Sequence, residues 1–408
     1  MTKIRLFFLS LTLVVVTSAV WLISLYARGY RFNSDSNSLT PNGILVIKSV
    51  PDGAQIIIDG ELKGATNANI PLPPATYDIT IRREGFIEWN KRLTIEKEVV
   101  TETTAHLFRN APSLAPVTFE GAQNPVASDD LSKIAYFVPT RAGDNEHNEK
   151  NAGLWVLDTI NLPVGFSREP RKVTDGNLEN ALWEWSPNSR EILLTTPNGI
   201  YLLDAGSFTP QSQLVNISFS AQTIKEDWQE ERRKEYVSSI RSLPDELTEI
   251  LERRVYTAVF SNDNDMILYT ASSSASLADN LIEPVPGAST QKQDRDIKPN
   301  HTYVYDIEED RNFLIDEDSN NLMIGNVDIS NNSPDRRLTW FPTSRHLVLA
   351  EKNNITIMDY DSTNRQVVFS GNYEAPHAFA SVGTDKLLIV TNLGADSTSS
   401  NIYTLNLK

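Results

Sequence analysis

The sequence predicts an all-β protein behind one apolar N-terminal helix: a small antiparallel β-sandwich, then a β-propeller carrying a helical-hairpin insertion. Three observations carry this reading. Residues 6–27 are uncharged and mostly apolar, residues 43–107 break into short alternating strands, and a strand-turn-strand phrase recurs five times between Ser128 and Lys408. About 20 apolar residues as a helix span a bilayer core, period-2 alternation marks half-buried strands, and a repeated unit of short strands with regular turns argues for radially arranged blades.

Composition bounds the functions. At 408 residues, 40% hydrophobic and 22% charged, the chain can form two or three domains with sizeable cores. Its 37 Lys and Arg against 53 Asp and Glu leave a net charge of −16, which repels phosphate backbones and anionic headgroups, so no nucleic-acid partner is expected. The absence of cysteine removes disulfides, thiolate nucleophiles and zinc ribbons.

Residues 1–27 read as a signal-anchor transmembrane helix. Lys3 and Arg5 precede the apolar stretch while Arg28 and Arg31 follow it, so charge barely decides orientation. Short basic N-termini stay inside, and long folded domains behind them cross regardless of charge. Residues 28–408 are therefore expected outside the cytoplasm, on a single-pass protein held in the cell membrane by residues 6–27. The rival is a cleaved signal peptide, with Thr17-Ser18-Ala19 as the small-residue site. Residues 28–42 are polar and aperiodic and read as a linker.

From 43 to 110 the chain reads as the sandwich. Strands are expected at 44–50, 54–59, 76–83, 86–96 and 99–107, divided by Pro51-Asp52-Gly53, Asp59-Gly60, residues 71–74 and Glu84-Gly85. The run Ser49-Val50-Pro51-Asp52-Gly53-Ala54-Gln55-Ile56-Ile57-Ile58-Asp59-Gly60 resembles the signature of PEGA domains, and Thr76 to Ile81 with Glu84-Gly85-Phe86 resembles their second half. Asp52 stands for the usual Glu, Asn67 for a proline and Ala75 for a glycine. The resemblance implies an extracytoplasmic spacer or interaction module without catalytic residues.

Residues 111–408 hold the repeat. Its clearest copies are WSPNSREILLTTPNGIYLLDA at 185–205 and WFPTSRHLVLAEKNNITIMD at 340–359; looser ones begin at Ala127, Phe260 and Ala380. Ser186-Pro187-Asn188-Ser189 resembles the Ser-Pro-Asp-Gly turn of TolB-like and WD-repeat-like propellers. Phe341-Pro342-Thr343-Ser344 and Ser261-Asn262-Asp263-Asn264 are degenerate versions. Such propellers carry many unrelated functions. Outer strands are expected at 171–174, 213–217, 312–315 and 366–369. The fifth blade has none, so residues 114–119 are expected to pair beside 402–407 and close the ring, sparing both blades an open edge. The count is five blades, or six if residues 322–329 are the remnant of another.

Four long segments interrupt the repeat. Residues 139–152, 272–300 and 392–400 fall between second and third strands, and 219–255 falls between the second and third blades. In a propeller all four emerge on one face, and long loops so clustered mark a binding surface. Residues 272–300 read as a mobile loop. Residues 219–255 read as a helical hairpin, with Ile224, Trp228, Tyr236 and Ile240 at helical spacing, a restart at Ser242-Leu243-Pro244-Asp245, and Leu247, Ile250, Leu251 and Val255 continuing the stripe. It is either a lid on its own blade or a docking element; in the second case Trp228, Tyr236, Ile240, Leu247 and Leu251 are the candidate partner contacts.

No phosphate loop, dinucleotide fingerprint, metalloprotease helix or nucleophile elbow occurs, so no catalytic, cofactor or metal residue is assigned. The histidines, His106, His147, His301, His346 and His377, are scattered. The acidic turns at 316–320 and 359–363 could offer calcium ligands but lack the glycine and distal glutamate of an EF-hand, and read as solvated hairpin turns. Trp155, Trp183, Trp185 and Trp340 read as inter-blade core. Two functions remain open: a non-enzymatic envelope scaffold whose propeller face holds a protein or glycan, and a glycan-active hydrolase with carboxylates at the propeller axis. A pure spacer is a third.

Overall fold

The computed structural model describes residues 2–27, 30–33, 38–140, 150–160, 169–283, 285, 289–325, 334–393 and 400–408. Two compact units result, Met1–Leu107 with Glu283–Lys292, and Phe108–Ile282 with Gln293–Lys408.

The first unit opens with helix α1 (Thr2–Ala27), of which Phe7–Ala27 is long and apolar enough to cross a membrane, with a mean hydropathy of 2.2. Two sheets follow. In one, Gly43–Val50 lies between Ala68–Leu72 and Val100–His106; in the other the order is Glu61–Ala65, Gln55–Ile58, Ala75–Arg82, Trp89–Ile95. Leu45, Ile47, Ile56, Ile58, Ile79, Ile81, Trp89 and Leu93 from both sheets form the core. Alternate inward positions of each strand supply it, as half-buried strands require.

The sandwich is not wholly antiparallel. Gly43–Val50 runs parallel to Val100–His106, from Ile44 opposite Val100 to Val50 opposite His106. The chain builds the opposite sheet between these strands, and such a crossover permits parallel pairing where a hairpin cannot. Glu61–Ala65 and Ala68–Leu72 went unforeseen, because the first is exposed throughout and shows no alternation. Gly60, at φ 82°, takes the left-handed turn conformation beside Asp59, whose carboxylate accepts the Asp78 N–H at 2.9 Å. Residues from Glu283–Lys292 complete this unit: Ser289 bridges to Leu93, and the Thr290 hydroxyl donates to the Arg92 carbonyl at 2.6 Å.

The second unit is a β-propeller of five blades among the described residues. Blade one is Gln123–Ala127, Lys133–Val138, Gly153–Asp158 and Arg171–Asp175; blade two is Leu182–Trp185, Glu191–Thr196 and Gly199–Asp204. Blade three is Val255–Phe260, Met266–Ala271, Thr302–Asp306 and Arg311–Asp316; blade four is Arg336–Trp340, His346–Glu351, Asn354–Asp359 and Gln366–Ser370. Blade five takes Ala378–Ala380, Lys386–Thr391 and Asn401–Asn406 from the C-terminus and Ser113–Pro116 from ahead of blade one. That last pairing is the expected closure, antiparallel from Ser113 opposite Asn406 to Pro116 opposite Tyr403, and the Val117 N–H extends it to the Ile402 carbonyl at 2.8 Å.

The turn after each first strand repeats in detail. Ser128, Ser186 and Ser261 each accept a backbone N–H on the hydroxyl, from Lys133, Glu191 and Met266 respectively. Leu131, Ser189, Asn264 and Ser344 occupy left-handed conformations with φ between 57° and 62°. Glycine is the usual occupant of such a position. The degenerate copies keep the turn and accept the strain.

Two expectations about blades are corrected. Residues 213–217 form no fourth strand in blade two: the chain is drawn aside to blade one, where the Thr209 N–H meets the Val173 carbonyl at 2.9 Å and the Gln211 N–H meets Asp175 Oδ1 at 2.6 Å. The described part of residues 322–329 does not begin another blade. Leu322–Ile324 pairs parallel to Arg336–Trp340 on the first-strand edge of blade four, and residues 326–329 lie outside the described residues.

Candidate functional site

The hairpin insertion is the largest interruption of the repeat. It folds as α2 (Ala221–Ile240) and α3 (Asp245–Arg253). Ile240, Leu247, Ile250 and Leu251 are buried in one cluster with Ile267, Tyr269, Ala271, Tyr303 and Tyr305 of blade three, and the half-buried Tyr236 ring stands 6.2 Å from Phe260. The intervening residues of the same strands, Met266, Leu268 and Val304, pack against blade four. Blade three therefore has blade four on one face and the hairpin on the other, the face that a neighbouring blade would cover.

Blade two meets the hairpin through charge. Arg232 donates to Asp129 Oδ2 at 2.8 Å and to the Trp185 carbonyl at 2.7 Å, and lies 3.6 Å from Glu184; Lys225 lies 3.5 Å from the same carboxylate. Burial pushes the Asp129 carboxyl above its ordinary range, against the opposing pull of Arg232. Shared apolar clusters join blades one to two, three to four, and four and five to one. Between two and three the hairpin supplies the packing.

This placement favours the lid reading of the hairpin over the docking one. Trp228, Ile240, Leu247 and Leu251 are buried and Tyr236 is half-buried with its hydroxyl on the Leu251 carbonyl at 3.2 Å. The apolar stripe of an amphipathic helix seeks the nearest uncovered apolar face, and blade three offers one. None of the five side chains heads an exposed surface.

Residues 272–300, expected to be mobile, are pinned where described. Ala275 and Ser276 pair with Ile297 and Asp296, Leu277 and Ile297 are buried, and the Arg295 guanidinium holds the Asp310 carboxylate and backbone carbonyl. Residues 284 and 286–288 lie outside the described residues, as do 141–149 and 394–399 of two other insertions.

The first strands of the blades line the axis of a propeller. Those five strands, and Leu322–Ile324 on the free edge of the fourth, carry one carboxylate among the described residues, Glu184, already engaged by Lys225 and Arg232. His346 is buried with Nδ1 at 2.7 Å from the Thr343 hydroxyl and Nε2 at 3.4 Å from Asp359, which also accepts from Asn364. That arrangement ties a turn to a strand end within blade four. Near the opposite end of the same seam, burial and then the Arg337 charge push His377 down to about 4. In the acidic turns, Asp316 pairs with Arg336 and accepts the Asp318 N–H, and Asp361 accepts the Thr363 N–H and hydroxyl. No group of three or more metal-ligating side chains converges among the described residues.

Trp183, Trp185 and Trp340 are buried in clusters that bridge blades, and Trp155 is partly buried against another. In the small unit, an open groove runs over Ile57, Asp59, Asp78, Thr80 and Arg82. Its charges are matched locally, Asp78 by Arg92 at 2.7 Å and Arg82 by Glu88 at 2.5 Å.

The end of the propeller where the insertions emerge carries exposed apolar side chains. Leu182 and Tyr256, near the starts of two first strands, are 71% and 67% exposed. A register shift between Val255 and Thr257 turns Tyr256 out of the ladder. Sequence periodicity missed both, since each sits in a strand that otherwise reads as core.

Comparison with known proteins matches a model of the PEGA domain to residues 42–110. No curated protein matches the chain. Among solved structures, a putative TolB from Agrobacterium tumefaciens is 11% identical at a TM-score of 0.23, covering 73% of this chain and 85% of its own. TolB from Acinetobacter baumannii is 12% identical at 0.22, covering 81% and 59%. The Cps50 (Swd1) β-propeller domain of Myceliophteria thermophila is 9% identical at 0.28, covering 72% and 100%.

Proposed function

We propose that this chain is a non-enzymatic, membrane-anchored scaffold of the cell envelope, in which a PEGA domain and a propeller stand outside the cytoplasm and one propeller face holds a protein or glycan. The observation that carries this reading is the position of the insertions: three lie between second and third strands of blades one, three and five, and the hairpin lies between blades two and three. In a propeller those connections share a face, and clustered long loops are where binding concentrates. The anchoring part rests on α1 and its composition.

The hydrolase reading needs two carboxylates roughly 5 to 10 Å apart at the axis. Among the described residues the first strands carry one, Glu184, engaged by Lys225 and Arg232. Photo-crosslinking in cells tests the proposal, with a photoreactive side chain at Tyr256 or Gln222 on the insertion face and at Asn188 or Asn262 in the turns of the opposite end. Adducts from the first pair alone are expected. Equal adducts from both ends, or none, would overturn it.

A further inference from the structure

Three of the most exposed apolar side chains of the propeller belong to blade two and the segment that follows it. Leu182, Thr195 and Ile200 stand opposite one another across the three strands of blade two, and Ile200 is capped outside by the Ile217 N–H at 2.8 Å and the Ser218 hydroxyl at 3.2 Å. That row brings Leu182 to the same end as Val215 and Phe219, which flank the cap. Leu182, Val215 and Phe219 are 71%, 75% and 107% exposed. With the preceding segment diverted to blade one, only Ile217 and Ser218 meet the outer edge of the row, and Val215 and Phe219 on either side of them stay uncovered.

The rim is acidic. Glu179, exposed, precedes Leu182 in the same connection, and Glu226 and Asp227 are exposed in the second turn of α2, the helix that follows Phe219. The cation of that turn, Lys225, faces Glu184 instead. Aliphatic and phenyl groups select apolar anchors, and three carboxylates select positive flanks. The same charges disfavour an anionic lipid surface, and a second copy would bring a like-charged rim against this one.

Building on the scaffold reading above, we infer that the insertion end of blade two docks a segment of a partner protein whose aliphatic or aromatic anchors are flanked by lysine or arginine. The anchors cover Leu182, Val215 and Phe219, and the flanks lie against Glu179, Glu226 and Asp227.

The test uses the full chain in nanodiscs of zwitterionic lipid and two labelled amphipathic peptides with one Leu/Phe stripe, flanked by lysines in one and glutamates in the other. The lysine peptide is expected to bind at least about tenfold tighter, ~1.4 kcal/mol. The pair Leu182→Ser and Phe219→Ser should weaken it about tenfold or more, and the pair Glu179→Lys and Asp227→Lys should invert the preference. All four side chains are exposed, so folding is preserved, as circular dichroism would confirm. Equal binding of both peptides, binding of neither, capture of anionic vesicles in their place, or self-association abolished by the serine pair would each overturn the inference. Binding that survives the serine pair but is lost with Tyr256→Ser would overturn it too, while leaving the face itself as the binding surface.

Discussion

Trp185 Nε1 donates to the Val126 carbonyl at 2.9 Å, carrying the end of one first strand across to the next. Trp340 repeats the bond to Val259 at 3.0 Å between blades four and three. The two indoles sit at the same point of the repeated phrase, so the hydrogen bond belongs to the unit and not to one seam.

Trp185→Phe keeps an aromatic ring in the seam but removes one hydrogen bond between first strands, which costs about 0.5–1.5 kcal/mol. Trp340→Phe is expected to cost a similar amount. Denaturant midpoints followed by near-UV circular dichroism would check this; loss in one variant alone would show that the bonds are not equivalent.

The closing strand gives a local test. Ala115 stands opposite Thr404 and its carbonyl accepts the Thr404 hydroxyl at 3.3 Å. Ala115→Pro removes a backbone donor from this ladder, and faster hydrogen exchange over 401–406 is expected. Unchanged protection there would mean that blade five holds without its borrowed strand.

Arg232 joins α2 to blades one and two, and its side chain and that of Asp129 are 21% and 25% exposed. Arg232→Ala should destabilise the propeller by about 1–3 kcal/mol, more than a surface pair and less than a fully buried one. The Asp129 carboxyl, already raised, should rise further. Its contribution to stability is present below the ordinary aspartate pKa and lost as pH climbs through the folded value, so that loss should move to higher pH in the variant. Thermal melts between pH 4 and 7 would show it.

Asp306 is buried at the junction of blades three and four. One oxygen accepts the Glu308 and Glu309 N–H groups at 3.0 Å, and the other lies 3.7 Å from Arg345. Burial, then the nearby Glu309, push its carboxyl up to about 7. A raised carboxyl favours the folded state below about pH 4 and forfeits that support as pH rises toward 7. Asp306→Asn keeps an acceptor for the two N–H groups, and is expected to raise stability at pH 8 relative to the parent, by a few kcal/mol at most, and to leave it nearly unchanged at pH 4. A constant difference between the two proteins across that range would contradict the assignment.

Because the chain has no cysteine, a single substitution reports its side of the membrane. Thr223→Cys, on an exposed position of α2, should react with a membrane-impermeant maleimide in osmotically opened cells before lysis. Labelling only after lysis would place the propeller in the cytoplasm.

Much of this architecture was legible because its signals are local. The apolar runs of Glu191–Thr196 and His346–Glu351, and the turns before them, depend on residues within a few positions. Even the closing strand could be read, since a last blade short of one strand demands a partner from upstream. Residues 213–217 show the limit. Their composition suits a strand, but the pull of blade one on Thr209 and Gln211 removes them from the ladder, and nothing within the segment announces that competition. The hairpin is similar: its stripe was plain, whereas the face it covers was not.

The sequence by itself determined the apolar helix, the PEGA sandwich, the five repeated units and the order in which they join, because period, turn chemistry and apolar runs act over a few residues. Only the tertiary structure decided that the helical hairpin packs between blades two and three, that Trp228, Ile240, Leu247 and Leu251 turn inward, and that Leu182, Val215 and Phe219 stay bare. Which apolar face meets which depends on residues far apart in the chain competing for the same surface, and that competition is settled only when the ring has closed.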